Sequence, residues 1–105
     1  MLDVPTPTVT DREIAGHVVG VDRFGNLVTN IARRSVEGLA DAGQIEVAAG
    51  GHRIDHLVDT YADAEAGSTC ALVGSSDYLE IAVVGGSAAA RLGVGRGASV
   101  TLTRQ

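Results

Sequence analysis

Gly16-His17-Val18-Val19-Gly20-Val21-Asp22-Arg23-Phe24-Gly25-Asn26-Leu27-Val28-Thr29-Asn30-Ile31 is the stretch whose reading decides the fold. Gly16–Val21 and Leu27–Ile31 are rich in β-branched residues. The run between them carries Gly and Asn, which tight turns favour. The pattern is strand, tight turn, strand, and the text on the carboxyl side repeats it. Gln44–Ala48 and His52–Val58 alternate polar and apolar residues across Gly50-Gly51, a hairpin signature. Thr69–Val73 and Tyr78–Val84 are apolar runs joined by Gly74-Ser75-Ser76-Asp77, and Gly85-Gly86 stops the second. Ala98–Thr103 closes the series. Two short segments read as helical: Ser35–Ala42, with Ser35 as cap and Gly43 as stop, and Ser87–Gly93, with Ser87 as cap and Gly93 as stop. Tyr61–Ser68 is small, acidic and loop-like. The chain is therefore expected to be all-β and mainly antiparallel, a compact barrel or sandwich of about seven short strands with one or two short helices.

Composition narrows the function classes. A chain of 105 residues suits one domain, since domains commonly run to roughly 50–200 residues. Phe24, Tyr61 and Tyr78 are the only aromatics, so the core is expected to consist of Val, Ile, Leu and Ala, which pack well between sheets. Residues 1–13 hold both prolines and read as the remnant of an interdomain linker; residues 14–105 read as the domain. The formal net charge is −5, with no lysine. A phosphate-backbone binder needs a basic face, and Arg33-Arg34 is too small to be one, so nucleic acid is not the expected partner. No apolar run approaches the length of a membrane-spanning helix, and no leader pattern opens the chain. A cytoplasmic setting follows by default. Cys70, the sole cysteine, sits in an apolar run and reads as a small buried hydrophobe.

The candidate chemistry is sparse. His52 and His56 share a strand face about 13 Å apart, too far to ligate one metal. His17 stands alone, and no metal or phosphate-loop motif occurs. Asp22-Arg23-Phe24-Gly25-Asn26 is more suggestive. It puts the only Phe in a turn, where its ring could stack on a base. Asn26 could read an adenine edge, and Asp22 could receive an ammonium. The plain alternative is a turn held by Asp22 hydrogen bonds, with Phe24 folded back over the core; the residues alone leave both open. Ser75 and Ser76 offer hydroxyls and amides to a carboxylate, or form a simple turn. Gly85-Gly86 precedes a capped helix and could face a ligand, or merely connect.

Taken together, Gly20–Ile31 and Gly74–Val83 followed by Gly86-Ser87-Ala88-Ala89 resemble the two carboxy-terminal motifs of the S-adenosylmethionine (SAM) hydroxide adenosyltransferase family. That family is related to fluorinating and chlorinating enzymes. The resemblance runs from Ile14 onward. It implies a substrate-binding domain of a SAM hydrolase, which converts SAM and water to adenosine and methionine. It also implies a trimer with the active site between the amino-terminal domain of one subunit and the carboxy-terminal domain of the next. On this resemblance Asp22 holds the methionine ammonium, Phe24 packs on the ligand and Asn26 reads adenine. Ser75 and Ser76 hold the methionine carboxylate, and the Val84 and Gly85 backbones touch adenine. Ser76 stands where halogenating members have Arg, and the first motif lacks one residue that they carry between its Asp and Phe; both differences favour water as nucleophile. The catalytic residues belong to the other domain, so none is expected in this chain, and no cofactor or metal is implied. The rival readings are a stand-alone nucleoside or SAM-binding module and a trimer-assembly module without catalysis.

One outcome follows for the chain by itself. It is expected to fold, to bind adenosine weakly at best and to release no adenosine from SAM above background, because half a cleft leaves polar contacts in water, where their net value is small. Chromatographic detection of adenosine checks this; release abolished by Asp22→Ala would show that the domain is a catalyst on its own.

Overall fold

The computed structural model describes residues 6–41, 43–58 and 65–104. Within them lie β1 (Thr8–Val9), β2 (Glu13–Val21), β3 (Leu27–Ala32), α1 (Arg33–Ala40), β4 (Ile45–Ala49) and β5 (His52–Ile54). These are followed by β6 (His56–Leu57), β7 (Thr69–Val73), β8 (Tyr78–Val83), α2 (Ala88–Leu92) and β9 (Ser99–Arg104). The strands run in the order β5-β4-β9-β2-β3-β8-β7-β6, with β1 added to β2. All pairings are antiparallel except β6 with β7.

This single path folds over on itself because two segments serve both of its halves. The first is β2. Its amino-terminal part pairs with β9, from Glu13↔Thr103 to His17↔Ser99. Its carboxy-terminal part pairs with β3, from Val18↔Thr29 to Val21↔Leu27, with a register shift between Val18 and Gly20. Between the two regimes the His17 amide donates to the Asn30 side-chain oxygen at 2.9 Å. A Cβ on Gly16 would run into that same oxygen and into the Ile31 side chain. Glycine lets β2 turn the corner with β3 closely packed beneath it.

The second shared segment closes the barrel. β5 pairs with β4, the chain passes Asp55, and β6 pairs with β7. The Asp55 amide donates to Thr69 Oγ1 at 2.9 Å. The Thr69 hydroxyl and amide donate in turn to Asp55 Oδ2 at 3.0 and 3.2 Å. β4 lies against β6 and β5 against β7, so the two ends of the sheet meet at this clamp. Such corners, made by strands that change sheets, belong to barrel-like orthogonal packing.

Inside sit Ile14, Val18, Leu27, Ile31, Leu79, Ile81, Val100 and Leu102, with Val36 and Leu39 from α1 and Ala88 from α2. Thr29 is also buried; its hydroxyl donates to the Leu79 carbonyl (2.8 Å) and accepts from the Ile31 amide (3.1 Å). No buried side-chain polar atom among the described residues lacks a hydrogen-bond partner. Cys70 is buried, and desolvation raises its thiol pKa.

The all-β, mainly antiparallel expectation holds, and four details differ from the sequence reading. The described residues contain nine strands rather than about seven. The His52–Val58 run is two strands, because it bends at Asp55 to serve both halves. The first helix starts at Arg33 after Ala32, without a side-chain cap; the Arg33 amide is already bonded to the Asp77 carbonyl at 2.9 Å, which sets the start before Ser35. Thr8–Val9, inside the expected linker, pairs with Ile14–Ala15. Residues 61–64 of the acidic Tyr61–Ser68 loop, residues 1–5 of the linker and Ala42 lie outside the described residues. The second helix is as expected, with Ser87 Oγ accepting from the Ala90 amide and Gly93 left-handed at its end. Gly50 and Gly51, at φ +57° and +85°, make the expected hairpin turn.

The clamp gives stability a pH dependence. Hydrogen bonds from the Thr69 hydroxyl, then from its amide, hold the Asp55 carboxyl below its ordinary value against a smaller opposing effect of burial. A lowered folded pKa contributes stability that is fully present above the unfolded value, about 3.9, and lost as pH falls through the folded one. Urea unfolding should therefore show Asp55→Asn less stable than the parent at neutral pH, with the gap closing below about pH 4; a gap that stays constant across the acid range would refute the clamp. Thr69→Val, which strands the Asp55 amide, should cost about 1–3 kcal/mol.

Candidate functional site

The turn between β2 and β3 is built by Asp22. Its Oδ1 accepts from the Phe24 amide at 2.9 Å and from the Asn26 amide at 3.0 Å. The Asp22 amide donates to the Asn26 carbonyl, and the Gly25 amide to the Asp22 carbonyl, both at 3.0 Å. The half-buried Asp22 thus serves as a turn former. Its Oδ2 and the side-chain amide of Asn26 make no hydrogen bonds among the described residues. Phe24 does not fold back over the core: it is 65% exposed, and the Arg23 guanidinium lies 4.9 Å from its ring centroid. Cation and ring together form an exposed flat surface.

Gly25 docks this turn on the start of α2. It has φ +83°, and a Cβ there would collide with the Ser87 side chain and approach its Cα to 3.0 Å. The Gly25 carbonyl accepts from the Ala89 amide at 2.9 Å. The Asp22–Asn26 turn is thereby fixed beside Val84–Ser87, the segment that leaves the carboxy-terminal end of β8. Both main-chain groups of Val84 are already used: its carbonyl accepts from the Gly67 amide (2.9 Å) and its amide donates to the Ser68 carbonyl (3.2 Å). A ligand would find only the second lone pair of that carbonyl. Gly85, exposed and at φ +78°, turns the chain here.

Ser75 and Ser76 lie elsewhere. They are exposed in the β7–β8 turn, at the amino-terminal end of β8. Since β3 runs antiparallel to β8, with Leu27 opposite Ile81 and Ala32 opposite Tyr78, this turn neighbours the start of α1. Asp77 is at φ +68°, and its carboxylate pairs with Arg33 Nε at 3.1 Å. Ser76 Oγ donates to Glu80 Oε2 at 3.2 Å. A shallow groove there is lined by Arg33, Arg34, Glu37, Ser76 and Tyr78.

The fold therefore brings Asp22, Phe24 and Asn26 together with Val84 and Gly85. It sets Ser75 and Ser76 at the other end of a six-residue strand, a span of about 17–20 Å. His17, His52 and His56 are exposed, and no group of three or more His, Cys, Asp or Glu side chains among the described residues could hold a metal ion. No helix among the described residues is long and apolar enough to cross a membrane. Sequence reading passed over Glu80, an alternating strand residue; the signal was Gly74, whose missing side chain makes room for the Glu80 carboxylate.

Comparison with known proteins gives the chain a family. Residues 16–101 match the family model of the SAM hydroxide adenosyltransferase C-terminal domain. The chain is 34% identical over 106 residues to an (R)-S-adenosyl-L-methionine hydrolase of Thermus thermophilus, covering 95% of this chain and 38% of that protein. It is similar to the crystal structure of an uncharacterized conserved protein from Thermotoga maritima, with TM-score 0.84 and 28% identity, over 99% of this chain and 41% of that one. The crystal structure of a conserved hypothetical protein from Thermus thermophilus has TM-score 0.69 and 32% identity, over 96% and 39% of the two chains. The chain thus spans about two fifths of the length of these relatives.

The Gly25 contact is directly testable. Gly25→Ala combines an unfavourable φ with a collision at Ser87, so urea unfolding should show a loss of more than about 1 kcal/mol. Gly51→Ala, which has a positive φ but open space around it, should cost less; equal losses would mean that the docking on Ser87 contributes nothing.

Proposed function

Because the chain belongs to the SAM hydroxide adenosyltransferase C-terminal domain family, we propose that it is the substrate-binding domain of a SAM hydrolase, working in the cytoplasm and as part of a trimer. The observation that carries this reading is the Asp22–Asn26 turn. It carries an exposed aromatic ring and, two residues on, a half-buried side-chain amide with no hydrogen bond among the described residues, on a frame of internal hydrogen bonds docked on Ser87 and Ala89. This is the equipment that recognises a purine: a π face for stacking, and a donor–acceptor pair for the N6/N7 edge. In this reading Asn26 reads adenine, Phe24 packs on the ligand, and the Val84 carbonyl and Gly85 backbone complete the contact. Ser75 and Ser76 take the methionine carboxylate at the far end of β8, which requires an extended substrate.

The reaction proposed for the complete protein needs little beyond alignment. Water attacks the ribose 5′ carbon, the carbon–sulfur bond breaks, and its electron pair returns to sulfur. The sulfonium leaves as the neutral thioether of methionine, so no acid has to protonate it and no cofactor is required. The water's proton goes to a base supplied by the amino-terminal domain of a neighbouring subunit. This chain contributes binding and orientation, which lower the barrier by fixing the 5′ carbon against the attacking oxygen.

The experiment is Asn26→Ala in the complete protein. Calorimetric titration with adenosine should show affinity weakened by about 1–3 kcal/mol, the scale of a bidentate base contact. Unchanged affinity would remove Asn26, and with it this placement of adenine.

A further inference from the structure

The sequence holds thirteen acidic residues against eight arginines and no lysine, so an arginine left without a partner stands out. Arg33 pairs with Asp77 and Arg53 with Glu46. Arg91 donates to the Gly67 carbonyl, and Arg23 lies over Phe24. Arg96 is exposed in the turn before β9. The other three gather at one end of the barrel. The side chains of Arg12, Arg34 and Arg104 make no ion pair or hydrogen bond among the described residues.

Two of them are held together by the sheet. Glu13 pairs with Thr103, and one step further the Arg104 amide donates to the Arg12 carbonyl at 2.8 Å. Like charges on cross-strand neighbours are destabilising. Arg34 approaches from α1. Arg34 and Arg104 line one groove of about 420 Å³, together with Thr10, Asp11, Ser35 and Gly38. Gly38 leaves this flank of the helix bare, with open space where a Cβ would stand. The Ser35 hydroxyl makes no hydrogen bond among the described residues, whereas Thr10 Oγ1 already donates to the Glu13 carbonyl. Asp11 is the carboxylate at this groove, against two guanidiniums that line it and a third beside Arg104. Arg34 also borders the groove beside the serine turn; Arg104 does not.

We propose that this end of the barrel binds an oxyanion of phosphate chemistry, either free or carried as a phosphate ester. Guanidinium forks match the oxygens of such a group. A phosphate ester carries about 1.5 to 2 negative charges at neutral pH and three strong acceptors, and Ser35 adds a hydroxyl donor. The charges converge on one groove instead of running along a face, which favours one compact anion over an extended acidic peptide. An anion seated there answers the repulsion between Arg104 and Arg12 and ties α1 to β9. The Asp22–Asn26 turn lies at the other end of the nine-residue β2, so the proposal is independent of what the domain does with SAM.

The test is calorimetric titration of the complete protein with inorganic phosphate, alongside thermal unfolding in phosphate and in chloride at equal ionic strength. A ligand that binds only the folded state stabilises it as its concentration rises, so phosphate should raise the unfolding midpoint above that in chloride. Arg104→Gln should weaken phosphate about ten- to a hundredfold, the range for a hydrogen bond to a charged group, and abolish the shift. Arg96→Gln, which removes a charge at the other end of β9, should leave both unchanged. Each variant has its own chloride reference, so a general loss of stability does not hide the result. A response as strong in Arg104→Gln as in the parent would overturn the proposal, as would none in the parent. So would a response that follows ionic strength alone, the mark of an adventitious ion only, or binding of a polyglutamate peptide without any response to phosphate. Glycerol phosphate separates the two sources: tighter binding than inorganic phosphate supports an esterified group, equal or weaker binding the free anion.

Discussion

A sheet whose core is made of Val, Ile, Leu and Ala has no large aromatic to fill a gap, so its two faces must come close. That closeness depends on β2, which pairs with β9 through one part of its length and with β3 through the other. The turn from one partner to the other happens over Asn30 and Ile31, where even a methyl group on Gly16 would have no room. The Asn30 oxygen takes the His17 amide at that point, so the backbone group freed by the bend is not left unsatisfied in the interior. If β2 lay flat, β9 and β3 would be side-by-side members of an open sheet. Asp55 and Thr69 would then have no reason to meet, and the ends of the sheet would stay exposed to edge pairing.

The same strand leads directly into the candidate site. The chain leaves β2 at Val21 and enters the Asp22–Asn26 turn at once, so the bend that forms the core also aims Phe24 and Asn26. Rigidity there comes from three layers of contact. Asp22 bonds the amides of its own turn, Gly25 seats that turn on Ser87 and Ala89, and Ser87 caps the helix beyond. A recognition loop built this way loses little entropy on binding, since its side chains stand on a backbone already fixed. The serine turn has a comparable frame, with Arg33 bonded to Asp77 through both backbone and side chain. Two preorganised turns thus stand at the two ends of one strand, β8, about 17–20 Å apart.

Much of this was legible in the sequence, for identifiable reasons. Strand and turn chemistry is local: Gly50-Gly51, Ser87 and Gly93 announce a hairpin and a capped helix within a few residues, and the structure has them there. The candidate turn could also be picked out, because a lone Phe between Asp and Asn is an odd thing to place between two strands. What could not be read was long-range. The start of α1 is set by a bond from Arg33 to Asp77, forty-four positions away, so the local cap signal at Ser35 misled. The break in His52–Val58 comes from closing the barrel onto Thr69, which no alternation pattern encodes. The separation of Ser75–Ser76 from Asp22 likewise depends on β3 and β8 being antiparallel neighbours. Nothing in the spacing of the two motifs says which end of β8 faces which turn.

The openness of the site bears on how the domain works. Phe24 is largely exposed, both candidate turns sit on the rim, and the groove beside the serine turn is shallow. Hydrogen bonds made in such places compete with water and keep little net free energy. They gain strength when a second surface excludes solvent, because the same contacts then act at lower effective dielectric. A domain whose recognition groups are rigid but wet is suited to be one wall of a cleft. A second wall would raise the value of every contact already in place, so ligand affinity would rise when the two met. On the proposed reading, such coupling would suit a reaction in which water is both solvent and reactant, since the site would have to expel nearly all of it and keep one molecule in line with the departing sulfur.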